Sequence, residues 1–175
     1  MAVNKGYLTA KTDKASDEVY TPEYAVKPLI KYVKPNSTIW CPFDKSYSKY
    51  VELLTQAGFK VIHSHIDDGQ NFFYYEPEES YDVIISNPPF SCKDDVLKRL
   101  YELQKPYAIL LPIPSLQGQK RFPYMRDIQY LGFNKRINYY MDITMKEVQK
   151  GVSFGSCYIC HDFLPKDLIM EELEI

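Results

Sequence analysis

Short, nearly unbroken apolar runs alternate along this chain with stretches in which apolar residues recur every three or four positions. Residues 38–41, 81–86 and 107–111 are runs of the first kind, and their continuity predicts strands buried on both faces. Residues 60–63 and the brief Asn71-Phe72-Phe73 predict two more strands between the first pair of runs. The helical rhythm begins behind Thr21-Pro22-Glu23, where Thr suits a cap, Pro the first turn and Glu the positive end of the dipole. Ala25, Val26, Leu29, Ile30 and Val33 then supply one apolar face. Further helices are predicted over about 47–57, stopped by Gly58, over 94–103 through Val96, Leu97 and Leu100, and over 123–131, ended by Gly132. Two last strands, 135–141 and 154–160, complete the pattern.

Strand and helix alternate first, and a hairpin-like pair follows. That order predicts the α/β class: a Rossmann-like, mostly parallel sheet with helices on both faces and a C-terminal antiparallel strand. Residues 1–18 are polar and without hydrophobic period, which reads as a flexible N-terminal tail. Residues 19–175 fit a single domain.

Composition narrows the functional classes. Charged residues at 25% and hydrophobic residues at 45% are ordinary for a globular protein. No apolar run has the length of a membrane span, and no apolar signal core follows Met1, so a cytoplasmic location is expected. Cys41, Cys92, Cys157 and Cys160 are scattered, as reduced thiols would be. A net charge of −2 argues against coating nucleic acid by bulk electrostatics. Distribution tempers this, since Lys120, Arg121, Arg126, Lys135 and Arg136 fall within seventeen residues whose one acid is Asp127. The segment is either a basic, nucleic-acid-binding patch or a solvated face.

The candidate chemistry stands at the end of the run 81–86, where the chain continues Asn87-Pro88-Pro89-Phe90. The prolines fix backbone dihedrals and donate no amide hydrogen, so the turn is rigid and rich in acceptors. An amide oxygen, a carbonyl and an aromatic ring at one place suit a planar aromatic amine. In an open α/β sheet the loops after the strands converge on a ligand at the point where strand order reverses.

These four residues match the D/N-P-P-Y/F signature of S-adenosylmethionine (SAM)-dependent amino-methyltransferases, and the chain resembles the DNA adenine N6-methyltransferases over about residues 18–160. The resemblance implies a class I methyltransferase domain and SAM as cofactor. It also implies DNA as partner, with an adenine flipped into the site. Asn87 and the Pro88 carbonyl would accept the amine hydrogens, with Pro89 stiffening the turn and Phe90 stacking on the base, a contact worth roughly 1–3 kcal/mol. Thr21-Pro22 resembles the family's N-terminal cofactor element, and Cys41-Pro42-Phe43-Asp44 occupies the place of its D-P-x-x-G-x-G loop. His65 and Ile66 stand where the ribose-binding acid is usual, with Asp67 and Asp68 beyond, and Asn71-Phe72 replaces the Asp-Phe beside the cofactor's adenine. No glycine occurs between Gly6 and Gly58, which departs from the family's loop. The pattern is similar to small phage and mobile-element methyltransferases, with no separate target-recognition domain. RNA, a protein glutamine, or a non-catalytic SAM-fold subunit are the alternatives that the same residues leave open.

Two other constellations carry less. His63-Ser64-His65-Ile66-Asp67-Asp68 has alternating histidines, but only His161 remains elsewhere to complete a His-rich site, and no metal is expected. Cys157 and Cys160 are three apart on a strand and point to opposite faces. Tyr139, Tyr140 and Tyr158 are candidates to border a base pocket.

Overall fold

Each continuous apolar run becomes a strand with one face toward each helical layer. The computed structural model describes residues 19–144, 146, 148 and 154–174; the expected tail, residues 1–18, lies outside these. The described residues form seven strands: β1 (Thr38–Cys41), β2 (Lys60–His63), β3 (Val83–Ser86), β4 (Tyr107–Pro112), β5 (Gln129–Phe133), β6 (Ser156–His161) and β7 (Leu168–Glu171). They make one sheet in the order β2-β1-β3-β4-β6-β5-β7. β2, β1, β3 and β4 are parallel, β6 runs against both β4 and β5, and β7 is parallel to β5. The expected mostly parallel α/β sheet with one reversed C-terminal strand is the fold observed.

Alternation along the strands divides the core. Ile39, Cys41, Val83, Ile85, Ala108 and Leu110 pack under α1 (Glu23–Ile30) and α2 (Lys49–Gln56). Trp40, Ile84, Ile109 and Leu111 pack on the other side, under α3 (Lys93–Leu103). Burial on both faces removes about 25 cal/mol of unfavourable apolar hydration per Å² covered, which is why these strands carry no polar alternation. Gly58 terminates α2 with φ of +92°, a backbone geometry that costs glycine little. Cys41, Cys157 and Cys160 are buried free thiols.

Four local expectations are corrected. Pro22, rather than Thr21, occupies the cap position of α1, which has no side-chain cap. Residues 71–73 form a turn in which the Asn71 side-chain oxygen accepts from the Phe73 amide at 3.0 Å, the local bonding at which Asn excels. The helix predicted over 123–131 is a single turn, Phe122–Tyr124, followed by β5. Met125, Ile128 and Leu131 imitate a helical face, yet pairing with β6 and β7 satisfies the backbone there instead. Among the described residues, 135–141 contribute isolated bridges alone, from Tyr140 to Tyr20 and to Val148.

β7 has no strong sequence signal, because it is a four-residue edge strand with Leu168 and Met170 exposed. Gln129 secures the chain leading to it. Its Oε1 accepts from the Phe163 and Leu164 amides at 2.9 and 2.8 Å, and its Nε2 donates to the Leu164 carbonyl at 2.7 Å. Gln129→Ala leaves three backbone groups without these partners and is expected to lower stability by about 2–3 kcal/mol in urea unfolding. A loss below about 0.5 kcal/mol would show that water replaces the clamp.

Candidate active site

The chain leaves β1 for β2 on one side and reaches β3 on the other, so the sheet order reverses beside β1. A crevice opens beyond the carboxyl ends of strands at such a point. The loops after β1, β2 and β3, joined by residues 19–21, line a cavity of about 550 Å³. That volume lies within the usual range for sites that enclose small molecules and cofactors.

Asp44 is the polar centre of this cavity. It lines the wall yet is only 7% exposed. Ser48, at the start of α2, donates its hydroxyl to one carboxylate oxygen, and Ser86, the last residue of β3, donates to the other. The Asp44 amide donates to the Ser64 carbonyl at 3.2 Å, so the loops after β1 and β2 are joined as well. Burial pushes the carboxyl up to about 6, and the two serine hydrogen bonds offset part of that rise. Among the described residues Asp44 has no ion pair. A buried carboxylate facing a cavity without a cationic partner fits a cationic group on a ligand.

Apolar side chains form the neighbouring wall. Phe72 is buried against Trp40 and Phe43, with ring centres at 5.5 and 4.8 Å, and Phe43, Phe72 and Phe73 all line the cavity. Trp40 donates to the Ser64 hydroxyl at 3.0 Å, which fixes the floor under these rings. Ile66 stands exposed at the rim. His65 accepts from the Asp67 amide at 3.2 Å, and the Asp67 carboxylate pairs with Lys45 at 2.6 Å; all three line the cavity. An apolar aromatic slot thus lies next to a buried anion and a rim carboxylate, an arrangement able to hold a ligand with a flat ring, hydroxyl groups and a cationic end.

Asn87, Pro88 and Pro89 line the same cavity. The Asn87 side-chain nitrogen donates to the Thr21 hydroxyl at 3.1 Å, while its Oδ1 is buried with no hydrogen-bond partner among the described residues. A buried acceptor left unsatisfied costs about 1–3 kcal/mol, a cost that a donor on a ligand in the cavity would relieve. Phe90 is not among the lining residues. Its ring stands edge-on to Tyr139 and Phe154, with centres 5.9 and 5.8 Å apart.

Of the residues expected at the cofactor, Thr21, Pro42, Phe43, Asp44, His65, Ile66, Asn71 and Phe72 line the cavity, whereas Pro22 and Cys41 do not. Asp67 lines it and Asp68 does not. Sequence reading passed over Ser48 and Ser86, since single serines carry no motif, and over Tyr20, which lines the cavity beside Thr21. Tyr139 and Tyr158 do not border it; both are fully buried, bonding to Ser156 and to the Ala25 carbonyl.

The five basic residues also separate. Lys120, Arg126, Lys135 and Arg136 are exposed. Arg121 is 9% exposed; it pairs with Asp94 and donates to the carbonyls of Ser115 and Gln117 at 2.7 and 2.6 Å. It braces the segment after β4 against the first turn of α3.

No family model and no curated protein sequence matches the chain. Among solved structures it is similar to the protein-(glutamine-N5) methyltransferase (release factor-specific) from Alicyclobacillus acidocaldarius subsp. acidocaldarius DSM 446. The identity is 14%, the TM-score 0.39, and the match covers 79% of this chain and 90% of that one. No helix among the described residues is long and apolar enough to cross a membrane.

The raised Asp44 carboxyl has a definite consequence for stability. Its folded value, about 6, exceeds the unfolded one, so ionisation destabilises the fold; the penalty grows as pH rises through this window and persists above it. Asp44→Asn should therefore be more stable than wild type near neutral pH by about 2–3 kcal/mol, a gain that shrinks toward zero near about pH 4. Urea midpoints across that range test this, and a variant less stable at neutral pH would contradict it.

Proposed function

We propose that this chain is a SAM-dependent methyltransferase that modifies the exocyclic amine of adenine in DNA. The observation that carries the reading is the pairing, in one cavity, of a partnerless buried Asn87 oxygen with a buried carboxylate that lacks a cation. Asp44 would hold the cofactor's ammonium group, Phe43, Ile66 and Phe72 its base, and Asp67 its ribose hydroxyls. SAM bound there supplies an electrophilic methyl group on a sulfonium.

The chain's own task is to prepare the acceptor. Adenine's amino lone pair is delocalised into the ring, so the nitrogen attacks poorly. Asn87 Oδ1 and the Pro88 carbonyl would accept its two hydrogens and draw the lone pair out of conjugation, with positioning and fixed dipoles providing the acceleration. The proton leaves after transfer, and no strong base is needed.

The nucleic-acid part of the proposal is supported by the braced segment. Arg121 anchors it to α3, whose first residue is Lys93, and the segment exposes Leu116, Lys120, Phe122 and Arg126. The Arg126 guanidinium lies 5.6 Å from the Phe122 ring centre. Exposed aromatic rings beside cations suit splayed bases and phosphates. A second reading keeps the chemistry and takes a protein glutamine, whose amide nitrogen is equally planar. The withdrawal of Phe90 from the cavity wall favours it, because an amide requires no stacking ring.

Tritiated SAM offered with DNA, RNA and protein in separate reactions is expected to label DNA; label in protein alone would replace the first reading by the second. Asn87→Ala should lower turnover by about 1,000-fold or more while SAM affinity by calorimetry stays within about twofold, and near-normal turnover would dismiss the acceptor role. SAM affinity should also fall as pH drops below about 6, by up to tenfold per unit, with the dependence absent in Asp44→Asn. A pH-independent affinity in the wild type would remove Asp44 from the cofactor site.

A further inference from the structure

The two edges of the sheet differ in what they show to solvent. β2 forms one edge, with Lys60 and His63 exposed at its ends and Lys60 paired with Glu79. Charged side chains of this kind, lysine above all, discourage another chain from pairing with an open strand. β7 forms the other edge, and among the described residues no strand lies beyond it. Leu168–Glu171 contains neither lysine nor proline, and Leu168 and Met170 are 65% and 57% exposed.

Hydrogen bonding to β5 fixes which way the β7 backbone faces. The Asp167 and Glu171 carbonyls accept from the Tyr130 and Asn134 amides at 2.7 and 3.2 Å. Backbone groups alternate in direction along a strand, so Leu168 and Met170 turn both N–H and C=O outward. Side chains alternate as well. Ile169 packs against the core under α1, and Glu171 pairs with Lys31 at the end of that helix. Leu168 and Met170 therefore project on the opposite face, and exposed Lys166 and Glu172 continue the same alternation at either end.

A second copy of β7, turned antiparallel about a two-fold axis at Ile169, is complementary to this edge. Outward-facing residues must oppose outward-facing residues in an antiparallel ladder. With Ile169 on the axis, Leu168 of each copy lies opposite Met170 of the other, and each such pair exchanges both backbone hydrogen bonds. Lys166 then falls opposite Glu172. Shifting the register by two residues sets Lys166 against Met170 or Leu168 against Glu172, which loses both matches. On the α1 face Asp167 meets Glu171 of the other copy, and Lys31, 2.6 Å from Glu171, offsets that like-charged pair.

We propose that β7 is the contact through which two copies of this chain join their sheets, edge to edge, as a symmetric antiparallel pair. The proposal stands apart from the methyltransferase reading. The cavity beside β1 and β3 lies four strand spacings, roughly 19 Å, from β7, so both copies keep it open. A strand-to-strand contact this short buries less than about 1,200 Å², and the pair is therefore expected to dissociate on dilution.

Sedimentation equilibrium of the full chain, from low micromolar to submillimolar concentration, should show the mass shifting from one chain to two. Leu168→Lys is expected to weaken association about tenfold or more, since it sets a charge opposite Met170. Lys166→Glu and Glu172→Lys should each weaken it about tenfold by placing like charges opposite one another. Mixing these two variants should recover the wild-type affinity, because each chain then meets the opposite charge at both ends, a recovery that the antiparallel register alone predicts. All three substituted side chains are exposed, so the fold has no need of them. A single-chain mass throughout, as cover of this edge by residues 1–18 would give, overturns the proposal. So does association that Leu168→Lys leaves intact, or a mixture that associates no more tightly than its components.

Discussion

The hydrogen bonds from Ser86 and Ser48 to the buried Asp44 carboxylate are the contacts on which the site depends. They join the end of β3, the loop after β1 and the start of α2, while the Asp44 amide ties in the chain beyond β2. Ser86 is followed directly by Asn87, so the residue that steadies the anion also sets the origin of the proline turn. Burying a carboxylate without a cation is unfavourable, and the fold tolerates it because the sheet and its two apolar layers supply the compensating burial. Sites that store such a cost are commonly those that a ligand relieves.

The glycine-poor loop after β1 is explained by the same contacts. A glycine lets backbone approach a ligand closely. Here Pro42 and Phe43 close the loop from the side, and the polar contact is made by a carboxylate set back in the wall. On the methyltransferase reading proposed above, recognition would move from backbone amides to one buried side chain and an aromatic slot, which would make the site sensitive to pH in a range where a backbone-built loop is not.

Arg121 illustrates a different division of labour. In a cluster of five basic residues it is the one removed from solvent, and its guanidinium reaches Asp94 and two carbonyls at once, as its fixed fork of donors permits. Lysine, with a point charge and no planar fork, would not span the three. Lys120, Arg126, Lys135 and Arg136 remain exposed, and Arg121 organises the segment that carries the first two.

By itself the sequence determined the sheet class, the strands β1 to β4, the three helices and the Asn87-Pro88-Pro89 turn. Each of those features is written locally, in a continuous apolar run, a 3.6-residue period or a proline pair. Only the tertiary structure decided that residues 129–133 are a strand, because the partners that outbid a helix lie in β6 and β7, up to 38 residues further along. It likewise decided that Thr21 accepts from Asn87 instead of capping α1, that Arg121 is a brace, and that Tyr158 is buried in the core between Tyr50 and the Ala25 carbonyl. Hydrogen-bond partners far apart in sequence leave no periodic trace, since a donor's choice depends on which acceptor the folded chain brings within 3 Å or so, and that is a property of the packing alone.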